Sequence, residues 1–268
     1  MSDELDGKHG VQSLEVGMGI LRVMTTGQRS MMLKDIAQAA DMPPSKAHRY
    51  LVSLIRSGLV EQDRLTSRYY LGPFALNLGL VALDRIDRIR LGLAAIGELR
   101  DLVNETIALA VWNERGPVVV RWERPRRPIT VNVLTGTSLS LLNSAAGRVF
   151  AAWMPEAQTD ALLQREIDTG RAPAGVASIA DARRLLGEVI QRGLAVIPEG
   201  GYFARGVEAA AGPVFNFKNE INMSIAVVGV EGTLDFGADS PTLAALEASC
   251  KALSLRLGAT GLAAGETD

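Results

Sequence analysis

Residues 32–71 read MLKDIAQAADMPPSKAHRYLVSLIRSGLVEQDRLTSRYYL, and the spacing of the apolar residues in this stretch decides the fold of the N-terminal part of the chain. Leu33, Ile36, Ala37 and Ala40 recur at three and four residues, as one buried helical face requires, and the pattern stops at Asp41-Met42-Pro43-Pro44. After that turn Ala47, Tyr50, Leu51 and Leu54 form a second apolar stripe, while Ser45, Lys46, His48, Arg49, Ser53 and Arg56 point elsewhere. Pro44 suits the first turn of a helix, where a missing N–H costs nothing, and Gly58 closes the helix. Residues 59–61 and 68–71 then read as two strands joined by residues 62–67, a wing carrying Arg64 and Arg68. The order is that of a winged helix-turn-helix, so double-stranded DNA is the first partner to consider.

An α-helix fits the major groove, where Arg or Lys can bond base edges or phosphates. Periodicity alone also fits two short helices and a hairpin in an ordinary core with solvated charges. Charge separates the two readings. Between Arg22 and Gly72 there are eight basic and four acidic residues, a net +4, whereas the whole chain is −2 and the remainder therefore −6. A basic segment on an otherwise acidic chain is the footprint of a phosphate-binding domain, because counterion release drives its affinity.

With 268 residues, 47% of them hydrophobic, and a mean hydropathy of +0.14, the chain can fill more than one core. No apolar run approaches the roughly eighteen residues that cross a bilayer, and the N-terminus MSDELDGKHG is polar and acidic, so a cytoplasmic protein with no membrane partner is expected. The single cysteine, Cys250, has no partner for an internal disulfide and falls in an amphipathic stretch, which points to a buried structural thiol. Only His9 and His48 are present, with no cysteine cluster or His-Glu-x-x-His, so metal and triad chemistry lack parts. Gly17-Met18-Gly19 and Gly200-Gly201 lack the spacing of a phosphate cradle. Neither an enzyme nor a cofactor is expected.

Outside the decisive stretch, residues 11–26 form an amphipathic helix offering Leu14, Ile20, Leu21 and Met24 for packing. Residues 73–91 read as a linker helix, apolar in its first half and charged in its second, whose apolar face suits a second copy of the chain. Beyond Gly92 helices are expected at 93–104, 144–153, 156–167, 179–192 and 241–257. Strands are expected at 106–112, 118–122, 129–134, 207–215 and 221–230. An antiparallel sheet with helices on its faces follows. The fold class is thus multi-domain α+β, divided into a disordered tail at 1–10, a winged domain at 11–72, a linker at 73–92, an effector-binding and oligomerisation domain at 93–260 and a tail at 261–268.

The order LKDIAQAADMPPSKAHRYLVSL followed by a wing ending in Tyr69-Tyr70-Leu71-Gly72 resembles the IclR family of bacterial transcription regulators, and the resemblance extends over nearly the whole chain. It implies DNA contact by Ser45, Lys46, His48 and Arg49, with the wing around Arg64 and Arg68; Arg56 extends the same free helical face. One departure is Ser67-Arg68 where a glycine often precedes the wing tyrosine. The resemblance further implies a GAF-like C-terminal domain and dimers that pair into tetramers.

A small-molecule site is expected around Thr137 to Gly147, where Asn143 or Ser144 can cap a helix whose free N–H groups suit a carboxylate. A loop and a capped helix with no ligand would look the same. Ala145-Ala146-Gly147-Arg148 resembles the family loop that lies over the effector. Carried across by position, the resemblance puts Val207, Glu208, Ala209, Ala226 and Val228 in the pocket, and Val131, Leu139 and Leu142 complete the candidate lining. Where relatives that sense small acids have a cysteine and two serines, this chain has Ala209, Ala226 and Val228. An apolar wall favours a flat hydrophobic body with one polar end, so an aromatic acid or close derivative is expected. Trp112 or Trp122 could stack on it, although either also suits a plain core, and Glu199 or Glu208 could read a hydroxyl or amine. Residues 122–128, rich in Arg and Pro, fit a solvated turn, an anion site or a subunit contact equally. A regulator that binds operator DNA under control of a small molecule is the reading that results. An enzyme or a protein-interaction module with an appended winged domain is the alternative.

Overall fold

The computed structural model describes residues 10–26, 28–85, 87–126, 135–198 and 206–260. The strand expected at 129–134, both tails, Val131 and Glu199 lie outside the described residues. The chain divides into two compact units, residues 1–86 and 87–268.

In the first unit α1 (Gln12–Thr26), α2 (Leu33–Ala39) and α3 (Pro44–Arg56) precede a hairpin of β1 (Val60–Gln62) and β2 (Tyr69–Leu71), with Val60 opposite Leu71 and Gln62 opposite Tyr69. Ile20, Met24, Ile36, Leu51, Leu54, Val60 and Tyr69 form its core. Leu14 does not join them and stands 59% exposed. Between α2 and α3 the backbone turns through Asp41 at φ 48°, a left-handed conformation that Asp and Asn tolerate better than other non-glycine residues. The unit closes with α4 (Pro73–Arg85), whose Phe74, Leu76, Leu78, Leu80 and Val81 remain exposed. The linker helix is shorter than periodicity predicts, since Asp87 caps the next helix by accepting a hydrogen bond from the Arg90 N–H. Residues 88–91 consequently belong to α5 (Arg88–Val103).

The second unit is a five-stranded antiparallel sheet with helices on both faces. Its strands are β3 (Thr106–Asn113), β4 (Gly116–Glu123), β5 (Ala195–Ile197), β6 (Val207–Phe215) and β7 (Ile221–Val230), in the order β4-β3-β7-β6-β5. The short strand β5, which follows α8 directly, carries no alternating pattern long enough to be read from sequence. Against one face lie α5 and α9 (Pro241–Arg256), where Gly92 lets α5 approach so closely that a Cβ there would sit 2.8 Å from the Leu109 side chain. Cys250 is buried on α9, and burial pushes its thiol pKa up to about 12. Against the other face lies α6 (Ala145–Trp153), backed by α8 (Ile179–Arg192) and α7 (Glu156–Asp168). Trp112 packs on Phe150 of α6, with ring centroids 5.7 Å apart.

Leu51 is fully buried at the centre of the winged unit, so Leu51→Ala should cost about 2–5 kcal/mol of its stability, read as a fall in the denaturant midpoint at unchanged slope.

Candidate DNA-binding face and effector site

Residues of α3 advance about 100° each, so Ser45, Arg49 and Arg56 fall nearly in line, with Lys46 and His48 flanking them. All five are exposed, while Ala47, Leu51 and Leu54 occupy the opposite, buried side. The helix therefore offers an exposed face with three basic side chains and hydroxyl and imidazole donors.

Beside it, the wing is shaped by Asp63. Its carboxylate accepts hydrogen bonds from the N–H groups of Leu65 (2.7 Å) and Thr66 (2.8 Å), and its carbonyl accepts the Ser67 N–H. These backbone bonds, Thr66 first, hold the Asp63 pKa below its ordinary value. Ser67, in the Ser67-Arg68 pair that stands where a glycine often precedes the wing tyrosine, takes φ 56°, so the wing turn forms without glycine. Arg64 is exposed at the tip. Arg68 differs, because its guanidinium donates to the Ser30 carbonyl at 3.0 Å and ties the base of the wing to the preceding loop.

The second candidate site lies on the α6 side of the sheet in the other unit. Trp122, Leu139, Ala145, Ala146, Val207, Ala209, Ala226 and Val228 belong to or pack against one apolar cluster there. Backbone bonds place Leu139, whose N–H meets the Pro117 carbonyl at 2.8 Å, so residues 136–139 run along the outer edge of β4. A β-bulge between β3 and β4 puts Val119 and Trp122, three residues apart, on this same face.

The loop before α6 is tied down at almost every polar atom. On α7, the Glu166 carboxylate accepts from the Ser140 hydroxyl (2.7 Å) and from the N–H groups of Leu141 (2.8 Å) and Leu142 (3.1 Å). Ser144 is the N-cap: its hydroxyl accepts from the Gly147 N–H at 3.0 Å and donates to the Ser140 carbonyl at 2.7 Å. A Cβ on Gly147 would fall 1.9 Å from that same carbonyl, so only glycine admits the loop here. Arg148 donates to the Leu142 carbonyl at 2.7 Å; burial lowers its pKa, against the opposing influence of Glu188. Capping satisfies Gly147 and leaves the N–H groups of Ala145 and Ala146 as first-turn donors without an intrahelical acceptor.

Three expected site residues are placed elsewhere. Glu208 faces the opposite side of the sheet from Val207 and Ala209, and its carboxylate accepts the N–H groups of Gly232 and Leu234, closing the turn after β7. Leu142 is buried among Leu141, Ala151, Leu163, Ala182 and Leu186, between helices instead of on the sheet. Asn143 is spent on the Arg171 carbonyl, so Ser144 alone caps α6. Of the arginines in 122–128, Arg126 pairs with Asp101 at 3.2 Å and its N–H bonds the Asn104 side chain, which anchors that turn to the end of α5. Glu166, the residue that fixes the loop, carries no motif that could have singled it out.

The IclR helix-turn-helix domain model matches residues 13–64, and the model of the bacterial transcriptional regulator IclR C-terminal domain matches residues 81–255. The chain belongs to the IclR family. Its members are transcriptional regulators, and this chain is one of them, with a DNA-binding helix-turn-helix domain, not an enzyme. It is 29% identical over 262 residues to the glycerol operon regulatory protein of Streptomyces coelicolor, covering 93% of this chain and 97% of that one. With the transcriptional repressor IclR of Escherichia coli it shares 24% identity over 82% of its own length and 80% of the relative's. The crystal structure of Pseudomonas aeruginosa HmgR superposes with a TM-score of 0.83 at 38% identity, covering 94% of this chain and all of that one. Among the described residues no helix is long and apolar enough to cross a membrane.

Two outcomes test these geometries. Because the Asp63 pKa is lowered in the folded wing, its bonds to Leu65 and Thr66 are complete above the ordinary carboxylate pKa and are lost as pH falls through the lowered value. The two amide resonances should titrate together with a midpoint below that ordinary value. Glu166→Ala should cost about 1.5–3 kcal/mol in the second unit, measured by chemical denaturation, since it leaves the half-buried Ser140 hydroxyl and two N–H groups without their acceptor.

Proposed function

We propose that this regulator binds operator DNA through the free face of α3 and the wing, and that an aromatic carboxylic acid or close derivative controls that binding from the α6 side of the sheet. The observation that carries the first half is the basic, exposed line Ser45, Arg49 and Arg56, flanked by Lys46 and His48, with Arg64 at the wing tip. Lys46 and Arg49, near the start of α3, reach base edges; Arg56 and Arg64 serve phosphates, and Arg68 acts mainly through the shape of the wing.

Supporting the second half, the sheet face under α6 is lined by Ala108, Ala209, Ala226 and Val228, which offer a ligand area but no hydrogen bonds. The polar end of the ligand goes to the start of α6, where the N–H groups of Ala145 and Ala146 and the helix dipole favour a carboxylate. Trp122, Leu139 and Val207 are half-buried around the same face, whereas Trp112 already has Phe150 as its partner.

One winged domain reads a half-site, so operator recognition calls for two copies. The exposed Leu14 and Met18 of α1 and Phe74, Leu76, Leu80 and Val81 of α4 support a homodimer, since a monomer rarely leaves so many large apolar side chains in water. Dimers pairing into a dimer of dimers complete the proposed assembly. The effector acts by binding one arrangement of the sensor units better than another, which shifts how often paired recognition helices match the operator.

Arg49→Ala should weaken binding to the best operator by about 1–3 kcal/mol and alter base preference, whereas Arg64→Ala should weaken binding to all sequences and flatten the salt dependence, both read by titration at several salt concentrations. An equal loss on every sequence for Arg49→Ala would contradict base reading. In thermal melts, aromatic acids should raise the transition of the sensor unit, by about 2.7 kcal/mol at one hundred times the dissociation constant, and short-chain acids should not. The reverse pattern would remove the aromatic preference.

A further inference from the structure

The indole Nε1 of Trp122 is buried and has no hydrogen-bond acceptor among the described residues. Two other buried nitrogens share that condition, Nε of Arg100 and of Arg183, but each has a carboxylate oxygen within ion-pair reach, Asp101 at 3.0 Å and Glu156 at 3.7 Å. Trp122 has no such compensation. An indole N–H can only donate, and a buried donor with no acceptor is rare enough in folded proteins to require a reason.

Its place in the sheet supplies one. Trp122 on β4 stands opposite Ala108 on β3, Ala108 opposite Ala226 on β7, Ala226 opposite Ala211 on β6, and Ala211 opposite Ala195 on β5. The indole thus closes one end of a row of four alanines crossing the whole sheet, over about 19 Å at the usual strand spacing. All five residues belong to or pack against the cluster under α6. No side chain in that row can accept a hydrogen bond, because every other member ends in a methyl group. The bulge at Val120, between Val119 and Arg121, is what brings this tryptophan to the α6 face, where plain alternation from Val119 would turn it away.

We infer that Trp122 is a specificity-determining residue whose Nε1–H donates to an oxygen on the ring of the effector, so that the effector is an aromatic acid carrying a hydroxyl or oxo substituent in addition to its carboxylate. The inference rests on the effector reading above: the carboxylate meets the N–H groups of Ala145 and Ala146, the ring lies on the alanine row, and the ring oxygen accepts from the indole N–H, which has no acceptor among the described residues. An unsubstituted ring fills the same space but leaves that donor unpaired, which is the arrangement that produces strong discrimination.

The test uses the full chain and four probes, benzoate and 2-, 3- and 4-hydroxybenzoate, with affinities from calorimetry for wild type and Trp122→Phe. Wild type should bind at least one hydroxybenzoate about tenfold or more tightly than benzoate, and Trp122→Phe should erase that preference while leaving benzoate affinity within about threefold. In ¹⁵N spectra of tryptophan-labelled protein, the indole peak missing from Trp122→Phe identifies Trp122 among the three tryptophans. In wild type the preferred hydroxybenzoate should move that peak downfield, and benzoate should not. Equal affinity for all four probes, or a preference that survives Trp122→Phe, overturns the assignment while leaving the aromatic-acid reading intact. A parallel loss of every probe in Trp122→Phe also overturns it, since the indole would then be meeting the carboxylate. If wild type binds none of the four while short-chain acids raise its melting temperature, the effector reading itself fails and this inference with it.

Discussion

An antiparallel strand sends alternate side chains to opposite faces, and in the second unit both faces are buried, so no residue of the central strands has a choice of surroundings. Along β6, Val207, Ala209 and Ala211 face α6, while Glu208, Ala210 and Gly212 face α9 and the turn after β7. That constraint explains why neighbours in sequence have unrelated roles. A slip of one residue would carry Glu208 into the apolar cluster under α6, where two backbone N–H groups would no longer balance its charge, at a cost of several kcal/mol. The pairing of β6 with β7 is therefore fixed by burial on both sides, and the row of alanines across the sheet is a consequence of that register.

What lies over the sheet is fixed differently. The loop before α6 has little apolar surface of its own to bury beyond Leu139, Leu141 and Leu142, and it would be mobile if its polar groups met water. Glu166 meets a hydroxyl and two N–H groups, the Ser144 hydroxyl bonds both the Ser140 carbonyl and the Gly147 N–H, and Arg148 holds the Leu142 carbonyl. Charge-assisted bonds of this kind are about twice as strong as neutral ones, and they cooperate in surroundings that exclude water. The same ties bring the Ser140 carbonyl against Gly147, leaving no room for a side chain at that position.

Features that repeat were legible in the sequence. Ile36 and Ala37 in α2, and Ala47, Leu51 and Leu54 in α3, show the expected burial because each helix packs one face on one core. Helix α8 spans 179–192, and β6 and β7 span 207–215 and 221–230, the ranges expected from the sequence. The sheet face under α6 was reached partly through the resemblance to relatives. Features that depend on a single distant partner were not legible. Nothing about Glu166 marks it as the acceptor for residues 25 positions away, nor does Glu208 advertise the turn it closes. The bulge that aims Trp122 depends on pairing between two strands, and the three residues of β5 are too few to show a period. At Asp87 the local signal existed, since an Asp three residues before an N–H it can accept is a capping pattern, but the apolar run through it masked the break.

A loop held in place before any ligand arrives changes what binding must accomplish. Ordering a flexible six-residue loop would consume about 6–12 kcal/mol of backbone entropy, comparable to the whole binding free energy of a micromolar ligand. Because Glu166, Ser144 and Arg148 already hold residues 140–148, the proposed effector meets preorganised donors and a rigid apolar face, and its contacts appear as affinity instead of being spent on ordering. A rigid site does not by itself make a switch, since a ligand that binds two arrangements equally shifts neither. In the proposed mechanism the coupling to DNA comes from rigid-body differences between sensor units, where a coupling of about 1–3 kcal/mol, a factor of about 5–150 in operator affinity, is sufficient for control. Glu166 has a second part in that proposed mechanism: because it joins residues 140–142 to α7, any displacement of that loop by the effector would be passed to α7.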